Sequence, residues 1–171
     1  MGYTVIFFAV KDGNRTSQNV SVESGNLNET NLDNLQKFTN YSIRVLGFTE
    51  KDKLGPLSDP IYAMTDQDVP SLAPSNVTAW AMNSSSIFVS WGPIPSEGRN
   101  GIIIGYGLFY TKHDALGPDW KQKYCNNTYG CAIASLDMYT RYGIRVTGLT
   151  DKGFGVAALV DAVTEKGGKF S

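Results

Sequence analysis

Two stretches of this 171-residue chain align without a gap at an offset of 101, and that internal repeat constrains its fold more than any other feature. Leu35, Thr39, Tyr41, Ile43, Arg44, Val45, Gly47, Thr49 and Lys51 recur as Leu136, Thr140, Tyr142, Ile144, Arg145, Val146, Gly148, Thr150 and Lys152. Upstream, Gly2-Tyr3 through Phe7 matches Gly105-Tyr106 through Tyr110 at an offset of 103. Self-similarity over such a period marks an array of like structural units, so the chain reads as a tandem.

Each unit reads as β structure. Tyr41, Ile43 and Val45 alternate with Ser42, Arg44 and Leu46, and Tyr142, Ile144 and Val146 alternate with Gly143, Arg145 and Thr147. Ile87, Val89 and Trp91 repeat the pattern. A period of two places one set of side chains on a buried face. No stretch sustains apolar residues at helical spacing, and turn pairs such as Asp12-Gly13, Ser24-Gly25, Gly55-Pro56, Asn100-Gly101 and Gly117-Pro118 punctuate the chain. Short strands so punctuated predict antiparallel β-sandwiches.

At these residues the chain resembles the fibronectin type III family. Leu35-x-x-x-Thr39-x-Tyr41 and Leu136-x-x-x-Thr140-x-Tyr142 resemble that family's Leu-x-Pro-x-Thr-x-Tyr corner, with the proline replaced in both copies. Ser86 to Trp91 resembles its second strand, Asn100 to Tyr106 its third, and Asp68 to Pro74 the join between consecutive modules. The resemblance implies all-β, immunoglobulin-like sandwiches with Leu35, Tyr41, Trp91, Tyr106, Leu136 and Tyr142 in their cores. It assigns these residues a structural role, each corner tyrosine packing its ring inside and hydrogen-bonding its hydroxyl to upstream backbone.

The repeat also predicts the boundaries. Counterparts of Pro70 and Trp91 would fall before residue 1, so residues 1–66 read as a partial module lacking its first two strands and keeping strands three to seven. Residues 67–74 read as a linker running into the next module, 71–165 as a complete module and 166–171 as a tail. In the partial unit, Tyr3, Val5, Phe7, Tyr41, Ile43 and Val45 are expected to face water, each forgoing about 1.5–3 kcal/mol of burial. The expected picture is a fragment of a longer protein.

Asn-x-Ser/Thr triplets occur at Asn14, Asn19, Asn28, Asn40, Asn76, Asn83 and Asn126. Chance at this composition gives roughly two, so seven predict an extracellular, N-glycosylated chain. Cys125 and Cys131 flank five residues between predicted strands. That spacing predicts a disulfide across a hairpin, closing a loop short enough to contribute about 2 kcal/mol.

Chemistry is scarce. The single histidine, His113, lies in a polar turn and reads as solvated rather than as a general base, and no phosphate loop, nucleophile elbow or zinc motif occurs. Asp66-Gln67-Asp68 falls short of a calcium site and reads as solvated linker. The expectation is therefore a non-enzymatic chain without cofactor or metal. Fifteen basic against 16 acidic residues disfavour nucleic acid, and the longest apolar run is too short to contact or cross a membrane.

Binding surfaces are the alternative. Arg44 and Arg145, with Lys51, Lys53 and Lys152 in the following loops, form a mildly basic edge suited to an acidic partner or a glycosaminoglycan. Trp80 and Phe88 fall out of phase with inward Val77, Ile87 and Val89, either as an exposed aromatic contact or as packing beneath the linker. The expected partners are other cell-surface or extracellular proteins. The Asn-Gly-Ile strand and Val-Pro join resemble modules of neural adhesion molecules and of receptor tyrosine phosphatases, the latter implying a catalytic domain elsewhere in the parent protein. An intracellular structural array is the remaining alternative.

Overall fold

The computed structural model describes residues 1–10, 17–23, 28–50, 53–113 and 119–168. Its contacts divide into two units, Met1–Asp66 and Gln67–Ser171. The expected turns at 12–13, 24–25 and 117–118, and Lys51, lie outside the described residues.

Among its described residues, the second unit has seven strands in two antiparallel sheets. β6 (Thr78–Asn83), β7 (Ser86–Ser90) and β10 (Gly130–Ile133) form one sheet in the order β10-β7-β6. β8 (Gly105–Lys112), β9 (Lys121–Cys125), β11 (Arg141–Thr150) and β12 (Gly153–Val163) form the other in the order β12-β11-β8-β9. The alternating residues explain the packing: Ile87 and Val89 from one sheet meet Tyr106, Leu108, Ile144 and Val146 from the other, all essentially sealed from water, with Trp91, Ile94 and Ile133 closing the layer. The third strand begins later than its sequence resemblance implies, at Gly105. Gly101 is instead packed beneath the Gln67 side chain and Thr150, a position with no room for a Cβ.

Among its described residues, the first unit contains the equivalent of the second sheet alone. β1 (Gly2–Ala9), β2 (Gln18–Val22), β3 (Asn40–Glu50) and β4 (Lys53–Leu57) run in the order β2-β1-β3-β4, and β5 (Ile61–Met64) pairs with β3 further along. β1 and β3 pair in the same register sense as β8 and β11, Val5 opposite Val45 as Leu108 is opposite Val146.

Two expectations for this unit need correcting. No strand is present among the described residues between Val22 and Asn40, where the repeat predicts the fifth strand. In the second unit that strand, β10, pairs only with β7, and the first unit offers no counterpart of β7. Its sheet face is also less exposed than expected: Val5, Phe7 and Tyr41 are buried, with Ile43 and Val45 half-buried, because Leu32 and Leu35 pack over them. Tyr3 remains 44% exposed. Beside this small cluster lies an apolar groove of about 540 Å³, lined by Tyr3, Val5, Val22, Leu32, Ile43 and Val45 among others.

Residues 67–71 do not form a solvated linker. Asp68 receives the Thr150 hydroxyl on its carbonyl and donates its N–H to Asn100. The Gln67 side chain accepts the Ile102 N–H, and Pro70 is fully buried while accepting the Val156 N–H. Buried backbone groups need partners, and this segment supplies them to the loops around it.

Candidate functional site

The two Leu-x-x-x-Thr-x-Tyr segments fold into the same knot of hydrogen bonds. Tyr41 Oη accepts the Gln36 N–H at 2.9 Å and Tyr142 Oη the Asp137 N–H at 3.0 Å. Thr39 donates its hydroxyl to Lys37 O at 2.8 Å, and Thr140 donates to Met138 O at 2.9 Å. Phe38 and Tyr139 share positive φ values of 45° and 48°, as do Asn34 and Ser135 at 58° and 59°.

A residue type that the sequence analysis did not single out completes each knot. Thr65 Oγ1 accepts the Thr39 N–H at 2.9 Å and donates to Gln36 O at 2.6 Å, and Thr164 does the same for Thr140 and Asp137 at 3.0 and 2.6 Å. Leu35 is half-buried and Leu136 buried beneath the corresponding corner. Trp91 and Tyr106 pack in a tilted pair, 52° between planes and 5.3 Å between ring centroids, in the second core. Burial, and then the neighbouring Tyr129, push the Tyr106 phenol above its ordinary pKa.

Cys125 and Cys131 form a disulfide with Cα atoms 6.3 Å apart. The hairpin expectation is corrected, since Cys125 ends β9 opposite Tyr106 whereas Cys131 lies in β10 opposite Val89. The connection between them crosses from one sheet to the other, so the bond ties the two layers rather than a single turn.

The outward side chains make two patches. On the sheet of β11, Arg145 stacks its guanidinium 4.1 Å above the Trp120 ring and sits between Phe109 and the 73%-exposed Leu159 in the cross-strand register. Phe109 meets Phe154 edge-on at 5.3 Å over bare Gly107. Arg44, in the equivalent position of β3, is half-buried opposite Ile6. On the other sheet, Trp80 and Phe88 face each other across β6 and β7 with centroids 5.1 Å apart, and Trp80 is half exposed. The ring contact is open to solvent on the Trp80 side, with Phe88 half-buried.

Charged groups are locally paired. Lys112 bridges to Asp137, and that hydrogen bond, followed by the ammonium charge, holds the Asp137 carboxyl below its ordinary pKa. Lys53 bridges to Glu50 at 3.0 Å. His113 Nε2 lies 3.6 Å and Arg141 Nε 3.7 Å from the Asp161 carboxylate, so His113 belongs to an exposed polar cluster at the end of β8. Among the described residues no three His, Cys, Asp or Glu side chains converge on a metal-sized site, and no helix is long and apolar enough to cross a membrane. Asn19, Asn28, Asn40, Asn76, Asn83 and Asn126 all have exposed side chains; Asn14 lies outside the described residues.

Together, the sheet order, the inter-sheet tryptophan and the tyrosine corner define an immunoglobulin-like β-sandwich module. The family pattern described as "Fibronectin type III domain" matches residues 72–160. The chain belongs to that family.

Among curated relatives it is 34% identical over 158 residues to human "Cell adhesion molecule DSCAM", covering 91% of this chain and 8% of that protein. It is 34% identical over 163 residues to "Cell adhesion molecule Dscam2" of Drosophila melanogaster (92% and 8%), and 32% identical over 129 residues to "Protein sidekick-1" of Gallus gallus (75% and 6%). The chain thus spans less than a tenth of the length of these relatives. Among solved structures, the chicken CNTN1 FN1-FN3 domains share its fold with a TM-score of 0.56 at 24% identity, over 96% of this chain and 56% of that one.

Proposed function

We propose that this chain is a non-catalytic, extracellular segment of a cell-surface adhesion protein, holding other domains apart and presenting a protein-binding surface. The observation that carries the reading is the similarity to cell adhesion molecules over nine-tenths of the chain. Six exposed sequon asparagines and the inter-sheet disulfide support the extracellular part, since disulfides persist in oxidising compartments. The named relatives lend nothing specific to the phosphatase alternative.

The binding surface we assign is the outer face of the sheet containing β11. Arg145 and Trp120, with Phe109, Leu159 and Tyr124 around them, have the aromatic and arginine composition of interface centres. A protein partner suits this face better than a sulfated polysaccharide, because the Arg145 guanidinium is engaged over an indole, 4.1 Å from its centroid.

The test uses the full chain, secreted with its glycans, clustered on beads and offered to cells bearing surface proteins. Adhesion should fall at least about tenfold in Arg145→Ala and Trp120→Ala variants, the loss expected of a central contact. Unchanged adhesion in both variants would place the binding face elsewhere, and loss on enzymatic removal of cell-surface heparan sulfate would favour the polysaccharide.

A further inference from the structure

The Trp80–Phe88 patch lies beside a sequon, and the local register places the two on one surface. In β6 the alternation sends Ala79 and Ala81 inward and Trp80 outward, so an unbroken strand would turn Asn83 toward the core. A bulge prevents this: Ala81 pairs with Ile87, but Asn83 pairs with Ser86. One extra residue inverts the facing of the residues beyond it, so Asn83 shares the outer surface with Ser86 and Phe88 and is exposed. Residues diagonal across a strand pair lie about 7–8 Å apart, which is the relation of Asn83 to Phe88.

The exposed asparagine is also held in a turn through its side-chain oxygen. Its Oδ1 accepts the Ser85 N–H at 2.9 Å and the Ser85 hydroxyl at 3.2 Å. Its backbone carbonyl is taken by the Glu165 N–H. The aromatic surface is built as a platform: Gly130 carries no Cβ where one would sit 2.8 Å from the Phe88 ring, so the ring lies across it toward β10, and Trp80 continues the surface at a 40° tilt.

We propose that Asn83 is an occupied N-glycosylation site whose first N-acetylglucosamine stacks on Trp80 and Phe88, so that this patch is covered by the chain's own glycan and is not a protein-docking face. The proposal rests on the extracellular reading above. In the transfer, the bond from sugar C1 to the diphosphate of a lipid-linked oligosaccharide breaks as the Asn83 Nδ2–C1 bond forms. The Nδ2 proton passes to the transferase base and the lipid diphosphate departs. A pyranose ring presents C–H groups on its faces, and these complement the electron-rich faces of aromatic rings. Stacking also removes from water the apolar surface that a half-exposed Trp80 otherwise leaves open.

The test is thermal unfolding of the second unit in the secreted full chain, with site occupancy read from glycopeptide masses. Asn83→Gln should lower the midpoint by about 4 °C in the native background and by less than about 1 °C in a Trp80→Ala background. Trimming to a single N-acetylglucosamine should leave the midpoint unchanged, and nuclear Overhauser contacts should join that sugar to the Trp80 ring. Equal losses in both backgrounds would overturn the stacking. An empty Asn83 with other sequons filled would overturn this inference alone, whereas a secreted chain bare at every sequon would overturn the extracellular reading with it.

Discussion

Tyr41 and Tyr142 show how much of each unit rests on a few side-chain atoms. Each hydroxyl satisfies one backbone N–H at the crossover between strands, and each partner threonine satisfies a further N–H and a carbonyl. Tyr142→Phe should cost about 1–2 kcal/mol, the worth of one partly buried hydrogen bond and the group it leaves unpaired, measured by urea unfolding of the second unit. The tyrosines and their Thr39 and Thr140 neighbours were legible from their shared spacing. Thr65 and Thr164 were not singled out: they lie just past the ends of β5 and β12 at an offset of 99, where Ala63-x-Thr65-Asp66 and Ala162-x-Thr164-Glu165 form a short match outside the aligned segments at 101 and 103. Asp137 supplies a pH prediction. Its folded-state pKa is lowered by the Lys112 hydrogen bond first and the Lys112 charge second. Its contribution to stability is therefore present above the unfolded value and lost as pH falls through the folded one. Carboxyl NMR titration should place the Asp137 midpoint below 3.8, and Lys112→Met should return it toward the ordinary Asp value.

At the scale of elements, alternation in β7 and β11 forecast the second core well, because both strands bury one face against an opposing sheet. It forecast β3 less well, since there, among the described residues, Leu32 and Leu35 provide the opposing layer. The absence of a strand among the described residues between Val22 and Asn40 and the inter-sheet disulfide share a cause: a strand's existence and a cysteine's partner depend on what lies across the fold, which spacing along the chain does not encode. The same holds for the Trp80–Asn83 relation, which requires the bulge in β6. Residues 67–71 read as linker because Asp, Gln and Pro are loop formers, yet they dock against β12. Gly155 is the contact that permits this, since a Cβ there would meet the Pro70 carbonyl and ring. Gly155→Ala should destabilise the second unit by about 1–3 kcal/mol through overpacking against backbone. Protection of the Val156 amide from hydrogen exchange should fall with it, because its acceptor is Pro70 O.

For the whole molecule, the two units have unequal cores. The second encloses Ile87, Val89, Leu108, Ile144 and Val146 between two sheets, whereas among the described residues of the first the buried apolar side chains are Val5, Phe7, Tyr41 and Leu46, none sealed as completely. Stability rises with buried apolar area, so urea should unfold the first unit at the lower concentration. All three tryptophans, Trp80, Trp91 and Trp120, lie in the second; their fluorescence should report the later transition, and NMR signals of Tyr41 the earlier one. The repeat made the tandem legible, while the outward patches became visible only once Arg145 was seen on Trp120 and Trp80 beside Phe88. The central claim, an extracellular segment, is tested most directly by the intact mass of the chain secreted from a eukaryotic cell. That mass would be compared before and after enzymatic deglycosylation, with alkylation before and after reduction. The account predicts loss of glycan mass at several of the seven asparagines, with Cys125 and Cys131 alkylated only after reduction. An unmodified chain with both thiols free would contradict it and favour an intracellular structural array.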